Sequence, residues 1–550
     1  MPVHLVNLDA LIPREDFEEV KATPPPAQHE RLPSYFRLPE LAGGITVSAL
    51  RKPDFQRETA YWKPNAIAEF VRSFVEGDLI PSIILWRSPA TGNIFIIDGA
   101  HRISALIAWI QDDYGDRAKS LSFFENIVPP EQQEAAQKTR DLIKKYVGTY
   151  ETLQAAAVHP TNADPATVTK ARTADLIQIP LLWVIGNAEK AEESFFRINS
   201  QAVSIDPTEL RMIKARKKPS ALAARAIIRA GVGHPYWLAF PEETKTEIRD
   251  TAKSIYDTLF VPSLPNQPLN TLELPIAGRS YAGGDSLGLI FDFVSLANGL
   301  VGPKDDKQAA ARAKSSESDD RDGSHTIRYL KTVKRITKRL SGKDPSSLGL
   351  FPAVYFYGIT GRYQPPAFLA TIGLVQRLER ENLFNWFTRI RAVFEEFLLR
   401  HRYFANQIVV HFGGRLKSLD GLLGYYLTVL DEIDKGHDFR RVVDRLTSGG
   451  GFGYLKEYVT VETSRDEISK SVRTVTYLRK AIQGAISCEI CHARIGPRSI
   501  SYDHIEEVRN GGIGSPTNTR LTHPYCNTGY RTSDGAPISL PAFSDNASLE

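Results

Sequence analysis

Cysteine is nearly absent: 3 in 550 residues, an odd number confined to one short segment as Cys488, Cys491 and Cys526. That excludes a disulfide framework. Long apolar runs are missing too. The nearest approach, LGLIFDFVSLANGLVG, is interrupted by Asp292 and falls short of the ~18 apolar residues that a membrane-spanning helix needs. The opening MPVHLVNLDALIPREDFEEV has early acids and no apolar core flanked by basic residues, so a secretion signal is not expected and a cytoplasmic location is. A formal net charge of +4 excludes a global basic field for nucleic acid, so any such contact must come from local patches. No repeat period marks the chain as a solenoid.

What is present reads as a soluble globular protein, 42% hydrophobic and 24% charged, of about two to four domains. Residues 1–40, with ATPPPAQHERLPSYFRLPE, read as an extended arm. Residues 41–220 read as a compact α/β domain. ITVSAL, SIILW, NIFIID and IQIPLLWVIG are its strands. NAIAEFVRSFVEGD is a helix with Ile67, Phe70, Val71, Phe74 and Val75 on one face, and HRISALIAWIQDD is another. Residues 221–475 are largely helical, with long amphipathic stretches in LFNWFTRIRAVFEEFLLRHRYFANQIV and SLDGLLGYYLTVLDEID. The polar run around 303–325 reads as a mobile loop. The helix after it, TIRYLKTVKRITKRL, carries Arg328, Lys331, Arg335 and Lys338 on one face and Leu330, Val333, Ile336 and Leu340 on the other. Such a basic face is either a solvated surface or a contact to a DNA backbone.

Residues 476–550 hold the densest chemistry. Cys488 and Cys491 make a C-x-x-C knuckle, and His523 and Cys526 an H-x-x-C knuckle. These four groups suit a closed tetrahedral structural zinc site. A segment of about 60 residues builds little core, so a metal staple is physically reasonable. Between the knuckles, Asp503 and His504 follow the alternation SISY and fall at a strand end. Gly511 and Gly512 are expected to take positive φ in a tight turn.

The whole pattern, C-x-x-C, then D-H-I, G-G, N and a second knuckle ending C-N, resembles the HNH endonuclease family with its ββα-metal fold. The resemblance implies Asp503 and Asn527 as ligands of a catalytic Mg²⁺ or Mn²⁺. It implies His504 as the base that activates water and Asn518 as the residue that braces the hairpin and orients His504. Oxygen ligands suit a hard cation, and a histidine suits proton abstraction near neutral pH. His523 stands where many relatives have cysteine, and Asn527 where many have histidine. His492 is a competing ligand or a surface residue, and a zinc ribbon that binds without cutting is the alternative for the whole module.

A second constellation is IFIIDGAHRISALIAWI. A strand ends at Asp98, Gly99 permits a turn, and His101 and Arg102 open a helix whose N–H groups favour an anion. Arg102 adds a charged fork, and Asp98 could hold a metal or polarise water. An ordinary capped helix start is the simpler explanation. With KPDFQRETAYW before it and FFRINSQAVSIDPTEL after it, the region 40–220 resembles the ParB/sulfiredoxin-like family marked by a D-G-Q-Q-R or D-G-Q-H-R motif, with Ala100 in place of the usual glutamine. The resemblance implies binding and hydrolysis of a nucleoside triphosphate, ATP or GTP, around Asp98, Gly99, His101 and Arg102, with Gln56, Arg57 and Asn199 nearby.

Joined in one chain, the two modules resemble modification-dependent restriction enzymes of bacteria. The resemblance implies a defence endonuclease acting on modified or foreign double-stranded DNA, with partner proteins of a defence operon. Contacts to the DNA backbone would come from the basic helix and from RMIKARKKP (211–219). The alternative is the nucleotide hydrolase of a DNA-modification pathway, whose HNH module nicks or only binds.

Overall fold

The computed structural model describes residues 5–15, 17, 32–56, 59–60, 62–126, 128–201, 207–234, 236–237, 239–262, 269–279, 284–303, 317–358, 360–449, 451–457, 468–530 and 536–538. The chain divides into two compact units. One is Met1–Leu222 with Gly231–Leu238 and Tyr281–Gly288; the other is Ala223–Ala230 with Ala239–Ser280 and Leu289–Glu550. The fold class is mixed α/β.

The first unit is built on one sheet of six strands: β1 (Arg14–Glu15), β2 (Tyr35–Arg37), β3 (Leu50–Pro53), β4 (Ile83–Arg87), β5 (Ile94–Asp98) and β6 (Gln178–Trp183), in the order β1-β3-β5-β4-β6-β2. β4 and β5 pair antiparallel at its centre, while β3 and β6 flank them in parallel. Successive side chains on a strand point to opposite faces. Ile83, Leu85 and Ile96 therefore enter one core, with Ile67, Val71 and Phe74 of helix α1 (Pro64–Glu76). Trp86, Phe95 and Ile97 enter a second, with Phe17, Phe55 and Phe195. Apolar layers on both faces explain why these strands read as continuous hydrophobic runs. β5 leads through Gly99 into helix α2 (Ala100–Gln111), and helix α3 (Ala188–Gln201) carries Phe195.

Two expectations for this unit are corrected. ITVSAL is not a strand: Ile45–Ala49 is a short helix after Gly44, and only Leu50 enters β3. A short apolar run has no periodicity to separate strand from helix, and the left-handed Gly44 (φ +91°) redirects the chain before pairing can begin. Residues 1–40 are not an arm throughout. Val6, Leu8, Leu11 and Ile12 are buried, β1 pairs with β3, and β2 pairs with β6. A buried ion cluster holds this segment, with the Asp9 carboxylate 2.7 Å from both Arg14 and Lys52. Charges 5 and 43 residues from Asp9 read as solvated in sequence; only the fold pairs them, and pairing is what makes their burial tolerable. Residues 18–31 lie outside the described residues.

The second unit is largely helical. Helix α4 (Glu242–Phe260) packs on the basic helix α5 (Ser324–Leu340). On α5, Leu330, Val333, Ile336 and Leu340 are fully buried, as their spacing predicts. Asp320 fixes where α5 begins, accepting from the Gly323 and Thr326 N–H groups at 3.1 and 2.7 Å. The polar loop is thus ordered over 317–323, and residues 304–316 of it lie outside the described residues. Helix α6 (Pro365–Arg380) follows. The long amphipathic stretch after it is two helices, α7 (Phe384–Arg400) and α8 (Arg402–Phe412), separated at His401. There the imidazole packs between Phe397 and Phe404, with centroids 4.5 and 5.9 Å away. Helix α9 (Leu419–Asp434) closes the bundle against α6 and α7. Asp292, which interrupts the apolar run, pairs with Arg415 at 3.0 Å. Among the described residues no helix is long and apolar enough to cross a membrane.

Helix α10 (Lys470–Gln483) leads into the last segment: hairpin strands β7 (Ser501–His504) and β8 (Thr519–Thr522), then helix α11 (Pro524–Thr528). This segment extends its small core by seating on the helices. Arg494 pairs with Glu396 at 3.1 Å, and Arg498 donates to the Asp257 and Thr258 carbonyls. Tyr525 donates to Asn385 at 2.8 Å.

Candidate functional site

The donor atoms of Cys488, Cys491, His523 and Cys526 all lie within 4.8 Å of one another, and all four residues are buried. The first knuckle is closed by the Cys488 N–H to the Ala493 carbonyl and the His492 N–H to the Cys488 carbonyl, both 2.8 Å. His492 supplies the left-handed turn (φ +61°) and points to solvent, so it is not part of the cluster. His523 Nε2 lies 3.0 Å from the Arg494 carbonyl, and Nδ1 lies 3.4 Å from Cys491 Sγ. A carbonyl only accepts, so Nε2 carries the proton and Nδ1 presents its lone pair to the sulfurs. Without a cation the thiols compete. Hydrogen bonds from Cys491 and Cys526 pull Cys488 far down, burial pushes Cys491 up, and Cys526 is pushed up by its hydrogen bonds to the other two. A bound metal ion removes that conflict by making all three sulfurs ligands, so the donor set fits one.

Arg391 on α7 is buried beside this cluster. It donates to Glu395 at 2.7 Å and to the Leu348 and Gly349 carbonyls. Glu395 accepts in turn from Tyr355 and from the Arg494 N–H. Gly349 is in left-handed geometry, and a Cβ there would stand 2.8 Å from the His523 ring. The sequence reading missed Arg391, Glu395 and Gly349. They lie more than 90 residues before the first knuckle, and no local pattern marks them.

β7 pairs antiparallel with β8, Asp503 facing Arg520 and His504 facing Thr519. Arg520 donates twice to Asp503 Oδ2, at 2.9 and 2.7 Å, and Oδ1 accepts no hydrogen bond among the described residues. Asn527 at the end of α11 donates through Nδ2 to Ser501 Oγ (2.9 Å) and the Tyr502 carbonyl (3.0 Å), and its Oδ1 makes no hydrogen bond among the described residues. Asn518 accepts from the Glu506 N–H at 2.7 Å and donates to the Glu506 and Ile513 carbonyls. It ties the connection directly after His504 and makes no hydrogen bond to the imidazole. His504 is partly exposed, with no hydrogen-bond partner among the described residues. The turn differs from the expectation. The strands are joined by residues 505–518, and of the two glycines only Gly511 has positive φ (+96°). Gly512 is required for close approach, since a Cβ would sit 1.8 Å from the Glu506 carbonyl oxygen.

In the first unit, Gln56, Trp62, Ile97, Asp98, Gly99, Ala100, His101, Arg102 and Phe195 line a cavity of about 170 Å³. Gly99 is in the left-handed region (φ +95°) at the start of α2, and a Cβ would strike Ile83 at 2.5 Å. The Arg102 fork is not presented to the cavity as a free cation. It binds Asp98 Oδ2 at 2.5 Å and the Pro81 and Ser82 carbonyls at 2.8 and 3.0 Å. His101 stacks on Trp62 at 5.8 Å. Asn199 falls on α3, where its side chain is not described, and Arg57 lies outside the described residues.

On α5, Lys331, Arg335 and Lys338 pair with Glu247, Glu379 and Asp344 at 2.7–2.9 Å, and Arg328 lies over the Tyr329 ring at 5.9 Å. In RMIKARKKP, Arg216 turns inward to Asp54 and Glu192. These carboxylates lower the field that both segments offer to a phosphate.

No curated protein and no solved structure matches the chain. Residues 40–215 match the family model of the GmrSD restriction endonuclease, N-terminal domain, and residues 488–532 match that of the HNH endonuclease. Two domains of these kinds in one chain support a restriction-type DNA endonuclease that carries a metal-binding Cys₃His cluster.

Proposed function

We propose that the protein restricts modified or foreign double-stranded DNA, cutting with its HNH module under the control of a nucleotide-hydrolysing first unit. The observation that supports this reading is one hairpin beside the Cys/His cluster that bears Asp503 and His504 on β7, with Asn518 tied to the chain just after His504 and Asn527 bonded to Ser501 and Tyr502 of the same strand. Zinc held by Cys488, Cys491, His523 and Cys526 is structural, because the four protein ligands close the site. A Mg²⁺ or Mn²⁺ at the Oδ1 atoms of Asp503 and Asn527 would supply charge neutralisation for the leaving oxygen. His504 takes the proton of the attacking water. Arg520 fixes the Asp503 carboxylate, and Asn518 holds the chain that follows His504. Asp98, Gly99, His101, Arg102 and Gln56, with Arg57 and Asn199, bind ATP or GTP at the start of α2. Arg102 acts there by holding Asp98. Arg328, Lys331, Arg335 and Lys338 contact the DNA backbone by exchanging their carboxylate partners for phosphates, a sequence-independent and salt-sensitive contact.

The deciding experiment is cleavage of modified and plain phage DNA with Mg²⁺ or Mn²⁺, with and without ATP or GTP. Preferential, nucleotide-dependent cutting of the modified DNA is expected. Absence of cutting on both substrates under every condition would remove the restriction reading.

A further inference from the structure

The turn that carries Gln56 is held by a buried charge cluster. Arg14, fixed by Asp9, donates to the Gln56 carbonyl at 2.5 Å and to the Pro53 carbonyl at 3.3 Å. Lys52, on the adjoining strand, donates to the Asp9 side chain and main-chain carbonyl, both at 2.7 Å. Gln56 is thereby fixed in place, 7% exposed, with its side chain in the wall of the cavity. Its Oε1 is buried and accepts no hydrogen bond among the described residues. A buried carbonyl oxygen left without a donor is destabilising, so its retention in a well-fixed turn asks for a ligand. The same cavity is lined by Asp98, whose Oδ2 is held by Arg102. Gln56 and Asp98 therefore both line the cavity beside the start of α2, whose N–H groups favour an anion. An oxygen acceptor repels a phosphate oxygen and attracts a hard cation.

We infer that Gln56 Oε1 and the Asp98 carboxylate hold a divalent cation, Mg²⁺ in kind, which bridges them to an anionic phosphate at the start of α2. Magnesium sites of this kind use one or two protein oxygens, several waters and the phosphates of the substrate. A cavity of about 170 Å³ has room for a cation with part of its water shell. The inference assigns Gln56 to the metal, and Arg102 to positioning Asp98. It rests on the nucleotide reading of this unit and names the form of the substrate, a nucleotide–metal complex.

The test is Mn²⁺ titration of the full chain, followed by electron paramagnetic resonance, with and without a non-hydrolysable nucleoside triphosphate. An Asp503→Asn background silences the hairpin site. Gln56→Leu is expected to weaken Mn²⁺ binding about tenfold or more. Gln56→Glu keeps the shape and adds ligand charge, so it is expected to tighten Mn²⁺ by about tenfold. Should Gln56→Leu unfold, Gln56→Glu decides alone. Mn²⁺ affinity indifferent to both substitutions overturns the inference. If Mn²⁺ binding follows Gln56 yet the triphosphate neither binds nor alters it, the cation site stands and the nucleotide reading falls.

Discussion

At the scale of the residue, the hairpin separates duties between neighbours. Asp503 is held through Oδ2 by Arg520, while His504 has no hydrogen-bond partner among the described residues. An imidazole without a structural bond is replaceable without loss of fold. His504→Ala is therefore expected to reduce DNA cleavage by at least two orders of magnitude, the usual share of a general base, with unchanged metal content and melting profile. Cleavage at the parent rate would remove His504 from the chemistry. Arg391 is the opposite case, a buried cation whose partners are Glu395 and two carbonyls beside the cysteine cluster. Arg391→Met leaves Glu395 buried against Tyr355 without its cation, at a cost of about 3–5 kcal/mol. A lower melting temperature and sub-stoichiometric zinc by atomic absorption are expected. Full zinc occupancy with an unchanged melt would show that the cluster does not need this counter-charge.

At the scale of the element, the connection 505–518 is shaped by one close approach. Gly512→Ala puts a Cβ 1.8 Å from a backbone oxygen that Asn518 also holds, so neither side can yield locally. Loss of DNA cutting with zinc retained is expected; normal cutting would mean that the loop relaxes freely. The break between α7 and α8 makes a pH prediction. Burial, reinforced by Arg400, lowers the His401 pKa from 6.5 to about 4. The folded protein keeps this imidazole neutral, while the unfolded chain takes up a proton below pH 6.5. Its contribution to stability is complete above pH 6.5 and is lost as the pH falls from there to about 4. Denaturant titrations of a His401→Phe variant are expected to show a smaller acid loss over that window, and an identical slope would exclude His401 as its source.

At the scale of the whole molecule, the last segment is stapled by its cluster and seated on the helices through Arg494, Arg498 and Tyr525. Removing the metal with a strong chelator, or replacing Cys488 with Ser, is expected to unfold residues of β7, β8 and α11 while α6, α7 and α9 persist. Hydrogen exchange resolved by peptide would report fast exchange in 488–530 alone. Protection unchanged after chelation would show that seating on the helices suffices. The central strands of the first unit, β4 and β5, bury side chains in two cores at once.

What the sequence determined by itself is local. The apolar runs of β4 and β5, the stripe of α5, the paired knuckles and the D-G turn at Asp98–Gly99 are patterns of near neighbours, and spacing alone sets their geometry. Where the cue was shorter than the pattern, as in ITVSAL, or depended on a distant partner, as in residues 5–15, it misled. The tertiary structure alone decided what long-range pairing decides. It brought Asp9 to Lys52, Arg391 to the cysteines and Arg520 to Asp503. The energy of a buried charge depends on what folding places beside it, and that neighbour is not written near it in the chain.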